Sequence, residues 1–246
     1  MNKLKDKIIV VTGGSGLIGK AIIHNIINEG GFAINADIKH DTNLNLGLVN
    51  CDVTKLESIQ MAISVIKEKF GKIDGWVNNA YPRTKDWGDK FENIKSSSWS
   101  SNIEFQLNSV FMCCQEVLTT FKFQKFGSII NIASIYGIVG PDFSLYEGTN
   151  MTMPAAYSAI KGGVINFTRY LASYYGSYNV RINCISPGGI FDNQDSNFVS
   201  KYKDKVPLKR MGLPEDISPA VVFLLGSEST YITGQNIIID GGFTCI

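Results

Sequence analysis

The sequence predicts a doubly wound α/β fold, a parallel sheet with helices on both faces, as one domain spanning residues 1–246. Three observations predict it. Short β-rich runs alternate steadily with longer helical patterns, a glycine-rich turn separates the first strand from the first helix, and polar or glycine residues recur at strand ends.

Each element follows from its residues. "KIIVVT" (7–12) is a continuous apolar run, as a strand buried on both faces requires. Leu17, Ile18, Ala21, Ile22 and Ile26 are spaced for one face of a helix. "GFAINAD" (31–37) reads as the second strand, and "CDV" (51–53) closes a further short apolar stretch. Residues 55–71 form an amphipathic helix ended by Gly71. Strands follow at 73–80, 127–134, 179–189 and 236–242, with helices at about 99–122, 155–176 and 215–226 between most of them. No composition break marks a linker, and there is no internal repeat. In such a sheet ligands sit beyond the carboxyl ends of the strands. Gly13 to Gly19, Asp37, Asn78, Asn79, Ser134, Pro187 and Gly188 all fall at those ends.

Composition narrows the function classes. A hydrophobic content of 44% with 18% charged residues is that of an ordinary globular protein. A formal net charge of +1 without a run of one sign gives no footprint for nucleic acid. Cys51, Cys113, Cys114, Cys184 and Cys245 show no metal spacing, and an odd count fits a reducing cytoplasm. His24 and His40 stand outside any zinc motif and read as structural or solvated. The first apolar run is too short for a signal peptide, and no stretch is long enough to span a membrane. The expected partner is a small molecule, with no metal, nucleic acid or membrane involved.

The motifs are more specific. "TGGSGLIG" (12–19) lets the backbone approach a pyrophosphate, which then meets the N-terminus of a helix. Asp37 lies eighteen residues beyond Gly19, where a carboxylate bonds a ribose 2′-hydroxyl and repels a 2′-phosphate, favouring NAD over NADP. Lys39 and His40 follow closely and soften that discrimination. In "AAYSAIKGG" (155–163), Tyr157 and Lys161 are four residues apart and share a helix face. An ammonium beside a phenol favours the phenolate, so the pair is expected to lower the phenol's pKa and act as a general acid/base.

The glycine-rich turn, "NNA" (78–80), Asn108, Ser134, Tyr157, Lys161 and "PGG" (187–189), in this order, resemble the short-chain dehydrogenase/reductase family. The resemblance covers essentially the whole chain, to "RMGLPEDI" (210–217) and "TGQNIIIDGG" (233–242). It implies a Rossmann-type domain, a nicotinamide cofactor and a homodimer or homotetramer. It implies that Ser134 polarises the substrate oxygen, Tyr157 gives or takes the proton, Lys161 lowers the Tyr157 pKa and bonds the nicotinamide ribose, and Asn108 holds a relay water. The implied cofactor contacts are Gly13, Ser15, Gly16, Leu17, Ile18, Gly19, Asp37, Asn79, Ala80, Pro187, Gly188 and Ile190, with Asp52 and Val53 at the adenine.

The chain departs from the family pattern in four places. Leu17 replaces a glycine of the turn, Tyr81 follows "NNA" where glycine is usual, and Asp192 replaces a threonine that bonds the carboxamide. Twenty-two residues separate Ser134 from Tyr157, more than the family usually has. That segment mixes Tyr136, Phe143 and Tyr146 with Asp142, Glu147, Thr149 and Asn150, which suits a hydroxylated ligand, and Arg83 and Lys85 stand ready for a phosphate or carboxylate. These stretches resemble dehydrogenases of bacterial flagellin modification and surface-glycan synthesis. The expected reaction is hydride transfer between the nicotinamide and a sugar-derived alcohol or ketone. The alternative is a 3-oxoacyl thioester reductase. A silent nucleotide-binding regulator is disfavoured because Asn108, Ser134, Tyr157 and Lys161 are all present.

Overall fold

The computed structural model describes residues 2–246. The elements are β1 (Ile8–Thr12), α1 (Leu17–Asn28), β2 (Phe32–Asp37), β3 (Leu48–Asn50), α2 (Leu56–Phe70), β4 (Gly75–Asn78), α3 (Ser96–Ile103), α4 (Ser109–Gln124), β5 (Gly127–Ile132), α5 (Ala155–Tyr175), β6 (Val180–Pro187), α6 (Ser196–Lys205), α7 (Pro214–Leu225) and β7 (Asn236–Ile239). The strands form one sheet in the order β3-β2-β1-β4-β5-β6-β7, and every pair is parallel.

Side chains alternate across a strand, so the apolar run of β1 serves two cores at once. Ile8 and Val10 join Trp76 and Ile129 beneath α2 and α4, where Ile59, Ile66, Leu118 and Phe121 close the layer. Ile9 and Val11 join Val77, Ile130 and Ile185 on the other face, against Ile22 and Ile26 of α1 and Ile217 and Val221 of α7. Fully burying one such side chain contributes about 1.5–3 kcal/mol, so both layers are needed to hold the sheet.

A buried polar chain ties the centre of the sheet to α5. Trp76 Nε1 donates to Asn78 Oδ1 (2.8 Å), Asn78 Nδ2 to Asn131 Oδ1 (2.8 Å) and Asn131 Nδ2 to Thr168 Oγ1 (2.9 Å). Because unpaired polar groups are costly in a core, this chain sets the position of α5 relative to β4 and β5.

Two features differ from the sequence reading. The helix expected at 99–122 is a longer rod, from 96 to 124, interrupted by one π-helical stretch, Glu104–Asn108. α6 has no counterpart in the sequence reading, because only Phe198 and Tyr202 of its ten residues are buried. It forms because Asp195 caps its first turn and because those two rings join Ile135, Tyr136, Leu145, Tyr146, Met211 and Phe243 in a satellite core. That core fixes the segment between Ser134 and Tyr157. Among the described residues, no helix is long and apolar enough to cross a membrane.

Candidate active site

The strand order reverses between β1 and β4, which extend the sheet in opposite directions, and a ligand crevice is expected there. A cleft of about 730 Å³ runs along these strand ends. Gly13, Gly16, Leu17, Ile18 and Asp37 are among the residues that line it, as are Ser134, Tyr157, Lys161, Pro187, Gly188 and Ile190, with Asn79 also on its wall.

The glycine turn is built for close backbone approach. Gly13 has φ +63°, and a Cβ there would lie 2.8 Å from Ala80 Cα; a Cβ on Gly19 would lie 2.4 Å from the Gly13 carbonyl oxygen. Gly19 and Ala80 therefore shape the turn by packing, without lining the cleft. α1 starts with no side-chain cap and no acid in its first turn, so its first N–H groups and dipole are left for an anion. Asn79 Nδ2 donates to the Thr12 and Gly13 carbonyls, both at 3.0 Å, and pins the turn to β4.

Asp37 ends β2, is buried and faces the cleft. Its Oδ2 accepts the Ser15 N–H (3.1 Å) and its Oδ1 the Lys39 N–H (3.1 Å). The Ser15 hydroxyl turns away from the cleft, 2.8 Å from His40 Nε2, and accepts from Asn35 Nδ2 at 3.1 Å. His40 is thus tied into the fold, and Lys39 is the cation that lines the cleft here. Uncapped N–H groups beside a buried carboxylate fit a dinucleotide: a pyrophosphate for the former, ribose hydroxyls for the latter.

At the other part of the cleft, α5 opens at Ala155 after Pro154, placing Tyr157 and Lys161 in its first two turns. Ser134, at the end of β5, is buried, and its Oγ accepts the Tyr136 N–H at 3.2 Å. Lys161 Nζ donates to the Ile132 carbonyl (2.8 Å) and lies 5.5 Å from the centroid of the Tyr157 ring and 5.6 Å from that of Tyr81. Burial lowers the Lys161 ammonium to about 8. Burial raises the Tyr157 phenol, with the Ser134 hydroxyl pulling the other way. This corrects the expectation of a phenol lowered by its lysine. The ammonium lies over the ring face and is committed to a backbone carbonyl, so desolvation of the phenolate prevails.

Several expected residues are not brought to the cleft. Asn108 donates its amide hydrogen bond to the Glu104 carboxylate on the same rod. Residues two apart on a helix face different directions, and it is Gln106 that points inward. Gln106 is 4% exposed, and neither its Nε2 nor its Oε1 has a partner among the described residues. No sequence signal distinguished the two, because the π-helical stretch that shifts the face is set by packing against α5. Asp52 accepts from the Thr54 N–H (3.1 Å) and hydroxyl (2.7 Å) and pairs with Lys55 at 3.3 Å, so it serves the turn before α2, and Val53 is part of the core.

The segment between Ser134 and Tyr157 also presents other side chains than expected. Asp142 pairs with Lys205 and Glu147 with Lys201 (3.7 Å), both on α6, and neither they nor Asn150 line the cleft. Tyr136, Tyr146, Met151 and Met153 do, facing Phe198 and Met211. The acids point outward because they meet lysines there, whereas inside they would lose hydration.

Comparison with known proteins now decides the family. A family model described as enoyl-(acyl carrier protein) reductase matches residues 18–244. A short-chain dehydrogenase from Leptospira borgpetersenii, solved with bound NAD+, superposes with a TM-score of 0.89 at 34% identity over 98% of this chain and 94% of its own. This chain belongs to the short-chain dehydrogenase/reductase family. Within that family it is 38% identical to the post-translational flagellin modification protein A of Campylobacter coli, over 98% of this chain and 99% of the relative. It is also 33% identical to the 3-oxoacyl-[acyl-carrier-protein] reductase of Chlamydia muridarum, over 97% of this chain and 98% of the relative. The Rossmann-type fold and the oxidoreductase class follow for a short-chain dehydrogenase/reductase.

Proposed function

We propose that this protein transfers a hydride between NAD and a polar, sugar-derived alcohol or ketone, in flagellin modification or surface-glycan synthesis, as a single-domain homo-oligomer of the cytoplasm. The observation that carries the reading is the convergence of Ser134, Tyr157 and Lys161 on the cleft that the glycine turn and Asp37 also line. Gly13, Gly16, Leu17, Ile18, Asp37, Asn79, Lys161, Pro187, Gly188 and Ile190 would hold the cofactor, which supplies the hydride acceptor or donor when bound. Ser134 polarises the substrate oxygen, Tyr157 carries the proton, and Lys161 supplies the positive field. Neither Asn108 nor Gln106 lines the cleft itself; the relay-water role that the family resemblance gives Asn108 is proposed for Gln106, whose buried amide lacks partners among the described residues and can bond a water. The flagellin modification relative supports the glycan setting.

The runner-up, a 3-oxoacyl thioester reductase, is favoured by the aromatic and thioether wall of Tyr146, Met151, Met153, Phe198 and Met211. Turnover of sugar phosphates and nucleotide sugars beside acetoacetyl thioesters separates the two. A clear preference for the thioester would replace the sugar reading.

Asp37 offers a second test. Asp37→Ala should narrow the preference for NAD over NADP, because a buried carboxylate no longer faces the 2′-phosphate. It should also weaken both cofactors, because Asp37 holds the Ser15 N–H in place at 3.1 Å. The measurement is kcat/KM and Kd for each cofactor; an unchanged ratio would leave Asp37 as a turn residue only.

A further inference from the structure

Two cleft-lining groups are not used by the reading above. The first is Arg83. It lies on the connection after β4, with its guanidinium carbon 5.4 Å from the centroid of the Tyr81 ring. Tyr81 is itself held in place, edge-on to Trp87 (5.8 Å) and to Tyr157 (5.8 Å). The guanidinium therefore stands one ring away from the proposed proton carrier. Among the described residues it forms no ion pair. The nearest acid in sequence, Asp86, is engaged by the Ser98 hydroxyl (2.7 Å), and the loop is tied to α3 through Thr84 N–H to Asn102 Oδ1 (3.1 Å). Arg83 is thus a positioned cation in an open cleft. The cofactor's pyrophosphate has its own donors at α1, so Arg83 is left for a different anion.

The second group is the Tyr136 hydroxyl. Tyr136 is 7% exposed, lines the cleft two residues beyond Ser134, and its hydroxyl, which has the Tyr146 hydroxyl as its polar neighbour, closes no hydrogen bond of normal length among the described residues. Its backbone N–H is fixed on Ser134 Oγ, and its ring stands edge-on to Phe243. A buried, unpartnered donor beside the reacting position is costly unless a ligand completes it.

We infer that the substrate is anionic and is held at two points: its phosphate or carboxylate by Arg83, and a hydroxyl or carbonyl near the reacting carbon by the Tyr136 phenol. The inference rests on the dehydrogenase reading and narrows it. A planar guanidinium recognises such an anion in a bidentate way that a lysine ammonium does not reproduce. A site that bonds a substrate hydroxyl rejects analogues lacking it, since its own polar atom would stay unpaired. The anion has two natural sources, a sugar phosphate or the phosphates of a coenzyme A thioester.

The test uses the NADH-saturated protein, with NADH binding measured first. Four probes are then titrated and followed by tryptophan fluorescence, since Trp87 stands 6.2 Å from the Tyr157 ring. They are sorbitol 6-phosphate and sorbitol, then acetoacetyl-coenzyme A and its neutral N-acetylcysteamine analogue. In the wild type the phosphorylated member of one pair should bind at least about tenfold tighter than its neutral partner. Arg83→Ala should remove that gap with NADH affinity unchanged, and Arg83→Lys should keep only part of it. Tyr136→Phe should weaken both members of the preferred pair and leave the melting temperature equal or higher, because it deletes an unpartnered hydroxyl. Which pair shows the gap identifies the source of the anion. A gap in neither pair, a gap that survives Arg83→Ala, or a Tyr136→Phe protein that binds as the wild type would overturn the inference while the dehydrogenase reading stands. Failure to bind NADH would overturn both.

Discussion

Tyr157→Phe is expected to lower turnover by about 10²–10⁴-fold while NADH binds nearly as in the wild type. The substitution removes one hydroxyl and keeps the ring, whose edge-on contacts with Tyr81 (5.8 Å) and Trp87 (6.2 Å) need no oxygen. The fold and the cofactor surface should therefore survive, and the loss should fall on kcat. The pH dependence gives a second readout. Burial raises the Tyr157 phenol above its ordinary value, so at neutral pH it carries its proton. Carbonyl reduction, which consumes that proton, should be fast at neutral pH and fall only in alkali. Alcohol oxidation, which needs the phenolate, should rise with pH across the alkaline range. A Tyr157→Phe protein with near-normal turnover would remove Tyr157 from the chemistry.

Lys161→Met is expected to damage turnover and NADH affinity together, each measured on the same preparation, because in the proposed mechanism one ammonium serves both the phenol and the ribose. Turnover should fall by at least about 10²-fold, the scale of a lost acid/base component. Stability should move the other way. The Lys161 pKa falls from 10.5 to about 8 on burial, so the folded state disfavours the charged form. Below about pH 8 the lysine is charged in both states and its burial cost is fully present; the cost is relieved as pH rises from about 8 toward 10.5. Methionine removes that cost and loses the 2.8 Å hydrogen bond to the Ile132 carbonyl. At pH 7 the variant should therefore be at least as stable as the wild type, with the difference shrinking toward pH 10. Urea unfolding at the two pH values measures it. A variant that loses stability at pH 7 would show that the lysine is held mainly as a structural hydrogen bond.

The sequence by itself determined the sheet, its two apolar layers, the placement of Gly13, Asp37 and Ser134 at strand ends and that of Tyr157 on a helix face with Lys161. These are local properties: a short, β-branched apolar run such as "IIVVT" suits a strand covered on both faces, and a glycine turn between strand and helix carries its own backbone demands. Tertiary structure alone decided three things. The π-helical stretch packed against α5 turned Gln106 inward and left Asn108 with Glu104, a difference of rotation that spacing does not encode. The satellite core with α6 decided that Tyr136, Tyr146 and Met151 face the cleft, while Asp142 and Glu147 meet lysines outside. And burial reversed the expected shift of Tyr157: charge proximity can be read from an i, i+4 pair, but the desolvation that opposes it depends on every element that closes over the pair.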